Sequence, residues 1–382
     1  MTYRTCMLFV FLAATGGWFL PALAEAPTDR VVALTGFSWD RVPLCIHFGK
    51  RSTDLTDAEL DFLATHAGLI TLEKGHGASV YGSTEAGIAN TARRLKARNP
   101  KVKVLFYFNA FINWPGYDAF KTYRDEWTLR DRNGKIVYKS ARASRPDPSQ
   151  PAFREWWSNV VADELKNAPL DGVFIDALPQ ALVPSLARTV GKQKAEAIVA
   201  GLREMIALTK RKIGDDKIVL ANGTRGTDFR EILDWEGIDG VMIEHFAEFS
   251  SDTPEAILAD METLSIAAEK GKFVVLKGWP GFTWLDTDMM KRPYAELATL
   301  ARERITFPLA CFLVSAQPGS YFCYSWGYTD RHGTLEAYPE LEHPLGPPVG
   351  DVQRSGTTFR REFRHASVFV DVKTKEARIN WK

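Results

Sequence analysis

The sequence predicts an α/β fold, a (β/α)8 TIM barrel with a small C-terminal antiparallel β appendage, on three observations. From residue 41 onward short apolar runs alternate with amphipathic helical segments, the signature of βα units and a parallel sheet. Two of the runs repeat one pattern, Asp-Gly-Val-apolar-Ile-acid, at Asp171-Gly172-Val173-Phe174-Ile175-Asp176 and Asp239-Gly240-Val241-Met242-Ile243-Glu244. Beyond Tyr338-Pro339 the composition changes, and Leu345-Gly346-Pro347-Pro348 reads as a linker into short alternating segments. At 382 residues the chain exceeds one average domain, a length that such a barrel takes as one unit with an appendage. The expected division is a leader over 1–24, a barrel over 25–340 and a β appendage over 341–382.

The leader has the three parts of a secretory signal peptide: Arg4 as positive start, a mostly apolar stretch from Leu8 to Leu20, and Ala22-Leu23-Ala24 before Glu25 as cleavage pattern. The apolar stretch is shorter than the roughly 20 residues that span a bilayer, so release to the periplasm or outside is expected, with no membrane partner afterwards. Cys6 leaves with the leader, and Cys45, Cys311 and Cys323 remain. Three thiols cannot all pair, and no C-x-x-C or Cys/His spacing is present, so no metal site is expected. Cys45 and Cys311 fall on the first and last expected strands, which become neighbours on closure. Buried thiols serving as small apolar residues are preferred to a disulfide there.

Taken in order, the first strand is Leu44 to Phe48. A helix follows from the capping box Thr56-Asp57-Ala58-Glu59 to about His66. The second strand, Gly68 to Leu72, leads into Glu73-Lys74, and a helix over about Thr84 to Ala97 stops at Asn99-Pro100. Val102 to Phe108 is the third strand, ending at Asn109. The connection from Phe111 to Gln150 is long, and Asn133-Gly134 between alternating runs marks a hairpin over Trp127 to Tyr138, a candidate lid. A helix from Pro151 to Lys166 precedes the Asp176 strand. A helical region, about Pro184 to Ile213, leads to the fifth strand, Ile218 to Ala221, which ends at Asn222. Thr227 to Leu233 is a short helix before the Glu244 strand. Thr253-Pro254-Glu255 then opens a helix with a cap, an N1 proline and an acid near the positive end of the dipole. The seventh strand, Phe273 to Leu276, ends at Lys277. After a helix over about Met289 to Ile305, the eighth strand is expected at Cys311 to Ser315, ending at Gln317. Thr358 to Phe363, Ala366 to Val372 and Ala377 to Trp381 read as the strands of the appendage. Eight runs in unbroken alternation favour a closed barrel over an open sheet.

On this assignment the strand ends carry His47, Glu73, Asn109, Asp176, Asn222, Glu244, Lys277 and Gln317 toward one mouth, where the active sites of such barrels are built. Side chains alternate along a strand, so Asp176 and Glu244 each follow a glycine and an apolar residue on one face, in the same slot. A pair of carboxyls at that rim is what glycosidic bond cleavage needs, one as acid and one as base or nucleophile. Glu73 is a third acid on the ring, with Lys74 beside it to neutralise it. Trp114, Trp279, Trp284, Tyr324 and Trp326 fall in the loops around the ring, and aromatic faces there suit the apolar faces of sugar rings. The aromatic content of 12%, with 11 Trp, fits that use.

Other chemistries find little support. A formal net charge of +1 offers no broad field for nucleic acid, which is not expected as a partner. No nucleophile elbow, H-E-x-x-H, P-loop or dinucleotide fingerprint occurs, since Gly75-His76-Gly77 runs into Ala-Ser-Val, and no cofactor is expected. A Schiff base on Lys277 is one alternative. A non-catalytic glycan-binding barrel is the other, because the aromatics and polar ring would serve it without a matched acid pair.

The two Asp-Gly-Val motifs, together with Asp147-Pro148, Phe153-Arg154, Trp156-Trp157 and the tail Phe359-Arg360-Arg361-Glu362-Phe363, resemble the hypothetical glycosyl hydrolase-like family 15 over nearly all of the chain after the leader. The resemblance implies a (β/α)8 barrel acting on a polysaccharide or glycoconjugate. Several glycosidase clans place an Asp nucleophile after strand four and an acid/base after strand six, which would give Asp176 and Glu244 those roles. The arrangement with a Glu nucleophile after strand seven does not fit, since that strand ends in Lys277. His47, Glu73, Asn109, Trp114, Asn222, Lys277, Trp279, Trp284, Gln317 and Trp326 are the expected substrate-binding set.

Overall fold

Eight apolar runs form the staves of one parallel sheet in the computed structural model, which describes residues 27–382. The expected leader, with Cys6, lies outside the described residues. In chain order the staves are β1 (Cys45–Phe48), β2 (Leu69–Leu72), β3 (Lys103–Asn109), β4 (Gly172–Asp176), β5 (Ile218–Asn222), β6 (Gly240–Ile243), β7 (Phe273–Gly278) and β8 (Tyr321–Tyr324). Each pairs in parallel with the next, and bridges at Leu44–Phe322 and Gly49–Thr329 bring β8 back against β1. Helices cover the outside and side chains fill the inside, so the staves are apolar on both faces.

The helix signals act as the sequence implies. Thr56 Oγ1 accepts from the Glu59 N–H at 3.2 Å while the Glu59 carboxylate takes the Thr56 N–H at 2.7 Å, and the helix Asp57–His66 follows. Thr253 caps Pro254–Glu269 in the same way, through the Ala256 N–H. No helix among the described residues is long and apolar enough to cross a membrane.

The Asp-Gly pair that opens β4 and β6 sits at the N-terminal end of the barrel and serves strand entry. Asp171 accepts the Val104 N–H at 2.8 Å and pairs with Lys96 at 2.7 Å. Asp239 accepts the Val219 N–H at 2.9 Å and pairs with Lys210 at 2.7 Å and Arg30 at 2.8 Å. Glycine follows because neighbours leave no room: a Cβ at 172 would stand 2.1 Å from the Ile218 carbonyl oxygen, and one at 240 would stand 2.5 Å from the Phe273 ring. Arg30 belongs to a helix, Pro27–Thr35, that the sequence pattern did not reveal; Tyr321 ties it to the barrel through the Thr35 carbonyl at 3.0 Å.

The last stave differs from expectation. Cys311 to Ser315 ends a helix, Thr306–Ser315, and β8 comes after it. That helix is apolar nearly all round because it is covered on two sides, by the barrel and by the C-terminal sheet, and a short continuous apolar run does not distinguish a buried strand from a buried helix. The seam therefore brings together β1, which carries Cys45, and β8, which carries Cys323, while Cys311 lies in the outer helix; all three thiols are free and buried. Gln317 sits in the turn that enters β8, at the end of the barrel opposite the mouth, with its amide on the Ser315 carbonyl at 3.2 Å.

The C-terminal strands form a four-stranded antiparallel sheet of Gln353–Ser355, Thr358–Glu362, Ala366–Asp371 and Glu376–Trp381 in chain order. Arg361 fixes it to the helix Thr306–Ser315, donating to the carbonyls of Leu313 at 3.1 Å and Ala316 at 2.6 Å. In the long connection after β3, Gly134 at φ +78° makes the expected turn, and Val137 donates to the Leu129 carbonyl at 2.9 Å. The tip leans on the helix Pro184–Val190, where Arg132 donates to the Ala187 carbonyl at 3.1 Å. A second, shorter hairpin, Tyr138–Ser140 with Ala143–Ser144, follows it.

Candidate active site

Asn222 stands between the two repeated acids. Its Nδ2 donates to Asp176 Oδ1 at 2.9 Å and to Glu244 Oε2 at 3.1 Å. The sum of these bonds caps the separation of those oxygens at 6.0 Å. The splay of the two amide hydrogens puts it at roughly 5 Å. Only the NH2 end of the amide suits two carboxyl acceptors, which settles its orientation and leaves Asn222 Oδ1 buried without a partner. Register alone would not align the acids, since Phe174 pairs with Leu220 and Leu220 with Gly240. Glu244 thus lies one inward position beyond Asp176, and the stagger of about one residue per strand in a tilted eight-stranded barrel offsets the difference over two strands.

Four donors converge on Asp176. Tyr107 and Asn109, the latter at 3.2 Å, donate to Oδ2, and Asn222 and the Ala177 N–H, at 2.7 Å, donate to Oδ1. Ala177 reaches back because it takes φ +70°, an uncommon value for a residue with a Cβ; such strain costs about 1–3 kcal/mol and clusters at functional sites. Glu244 has a different shell. Tyr328 donates to Oε1, Asn222 to Oε2, and the side chain is only 17% exposed. Burial and then the Asp176 charge push its pKa up, against the two hydrogen bonds. Beside it His245, 3.5 Å away, is pulled down to about 3 by burial and by the neighbouring Arg225, so it is neutral.

Glu73 behaves otherwise. Burial alone would raise it, but Lys74 at 2.7 Å and His47 at 3.0 Å draw it down to about 2. Lys74 also lies 3.5 Å from the Tyr107 hydroxyl and over the rings of Tyr107 and Trp114, so it connects Glu73 to the Asp176 shell. His47 Nδ1 is buried and unpartnered.

His47, Glu73, Asn109, Asp176, Asn222 and Glu244 thus share one hydrogen-bonded cluster. Trp279 and Trp284 stack at 5.5 Å on its far wall, with the Trp279 indole donating to the Glu244 carbonyl at 2.7 Å. Trp114 stands half-buried on the opposite side, beside Lys74. Lys277 is fully buried and turned away, bonded to Ser325 Oγ at 2.6 Å under the Trp279 ring, and among the described residues it makes no ion pair with Glu244. Trp326 is no platform: it is fully buried against Phe282 and Tyr294. Tyr324 faces outward to the Ala301 carbonyl. Gln317 is at the other end. The sequence reading missed Tyr107, which period-two alternation places on the face of Asn109, and Tyr328, which carried no signal once β8 was misplaced.

The sequence profile described as hypothetical glycosyl hydrolase family 15 matches residues 96–367. No curated protein matches the chain in sequence. In three dimensions it is similar to the noncanonic maltogenic α-amylase AmyB of Thermotoga neapolitana, with TM-score 0.51 and 12% identity over 87% of this chain and 86% of that one. It is also similar to the glycoside hydrolase domain of PelA from Pseudomonas aeruginosa, with TM-score 0.48 and 14% identity over 79% and 96% of the two chains. The amylase likeness bears on the barrel fold.

Proposed function

The chain belongs to hypothetical glycosyl hydrolase family 15, and we propose that it cleaves glycosidic bonds of a polysaccharide or glycoconjugate with Asp176 and Glu244, retaining anomeric configuration. Membership makes it a hydrolase of the glycosidase type with a carbohydrate substrate. The observation that carries the finer reading is the Asn222 amide shared by both carboxyls, since a separation of roughly 5 Å is that of a retaining pair and leaves no room for the water of inversion.

The roles follow from the two shells. Asp176, wrapped by four donors, is the nucleophile and bonds to the anomeric carbon. Glu244, whose hold on a proton is strengthened by burial and by the Asp176 charge, is the general acid and gives that proton to the leaving oxygen. Once Asp176 is esterified its charge is gone, so the second cause of the raised Glu244 pKa disappears. Glu244 then acts as base, taking a proton from the water that hydrolyses the ester and restores Asp176. Trp284, half-buried, offers a face for a sugar ring, while Trp279 beneath it is closed off between Trp284 and Lys277 and serves as its support. The leader over 1–24 supports action outside the cytoplasm, with 25–340 as catalytic barrel and 341–382 as appendage.

The test is a screen of the mature chain against polysaccharides for released reducing ends, followed by NMR of the anomer first released. Initial release of the inverted anomer sinks retention. Glycan binding with no cleavage of any polymer would favour a binding protein instead.

A further inference from the structure

Beside the carboxyl pair lies a cleft of about 540 Å3 whose charged lining is entirely cationic: Arg51, Lys74 and Arg142. The three come from separate segments, the turn after β1, the turn after β2 and the tip of the Tyr138–Ser144 hairpin. Lys74 is neutralised by Glu73, but among the described residues neither Arg51 nor Arg142 forms an ion pair. Solvated surface arginines are common. Here, however, they converge on a concavity with an aromatic wall, which like charges without a counterion do not favour by themselves. Trp114 forms that wall, and its buried indole N–H has no partner. Arg51 is seated against Gly75, where a Cβ would stand 3.0 Å from its Nε. The cleft reaches the reaction centre through Lys74, whose Nζ lies 3.5 Å from the Tyr107 hydroxyl that donates to Asp176.

We propose that this cleft is a subsite for an anionic sugar, bearing a carboxylate or a sulfate or phosphate ester, and so that the substrate is an acidic glycan. The sugar ring lies on Trp114 while its anion takes the two free guanidiniums, whose planar forks match such groups. The inference rests on the glycosidase reading above, because it makes the cleft a neighbour of the bond cleaved.

The experiment compares a polyuronate, a sulfated polysaccharide and an uncharged glucan of matched length. It uses the mature chain and its Arg51→Ala, Arg142→Ala and Arg51→Glu variants, with reducing-end release and calorimetric binding of oligosaccharides. The expected result is preference for an anionic polymer, a KM that rises with salt, and loss of about tenfold to a hundredfold in kcat/KM per arginine removed, mostly in KM. Response to the polyuronate alone identifies a carboxylate, and response to the sulfated polymer alone identifies an ester. Preference for the uncharged glucan with no salt dependence overturns the inference while leaving hydrolysis standing, and so do variants with unchanged ratios. Anionic oligosaccharides that bind, lose affinity in the variants and are never cleaved would support the subsite and overturn the glycosidase reading. No binding of any anionic oligosaccharide overturns the subsite.

Discussion

Asp239 and Glu244 flank the same strand, β6, five residues apart, and their surroundings are opposite in kind. At the N-terminal end Asp239 is matched by two cations and a backbone N–H. At the mouth Glu244 meets a tyrosine, an asparagine amide and another carboxyl. The first arrangement satisfies a charge. The second leaves one acid without a cation and so able to hold or release a proton. Asp171 and Asp176 repeat the contrast on β4, where Lys96 pairs the lower acid and neutral donors hold the upper one.

The contrast breaks if the acids at the mouth prove structural. Asp176→Asn and Glu244→Gln should each lower turnover by about 10³-fold or more while leaving the unfolding transition near native. Near-native rates in both variants would remove the assignment and make Glu73 the next acid to test. At the other end, Asp239→Ala should destabilise by about 3 kcal/mol in denaturant unfolding, since it strands Lys210 and the Val219 N–H, with turnover per folded molecule preserved. A large loss of rate without loss of stability would reverse the comparison.

Glu73 sharpens it, because it lies at the mouth but is paired like the lower acids. Its pKa falls from the ordinary 4.5 to about 2 on folding, so the stability it supplies is complete above 4.5 and disappears as pH falls toward 2. Glu73→Gln should therefore flatten the stability profile across that window, which urea titrations between pH 5 and 2 would read. An unchanged acid slope would mean that its ion pairs form equally in the unfolded chain. The smallest effect is expected for Tyr328→Phe. The tyrosine donates to Glu244 and lowers its pKa, so its removal should move the alkaline limb of kcat/KM upward. Movement downward would show that Glu244 is not the group titrating there.

The sequence by itself determined seven of the staves, the caps at Thr56 and Thr253 and the two acids past β4 and β6, because each is written in local signals: period, cap residue, turn residue. It did not determine β8, since Cys311–Ser315 and Tyr321–Tyr324 are both short and apolar, and only the sheet packed over Thr306–Ser315 makes the first of them a helix. That one displacement hid Tyr328 and put Gln317 on the wrong end. The partners of each acid were likewise decided by the closed barrel. The sequence separates Asp176 from Glu244 by 68 positions, and strand stagger brings Asn222 between them; neutral donors there, and cations around Asp171 and Asp239, then set which acids are fixed as charges and which can exchange a proton.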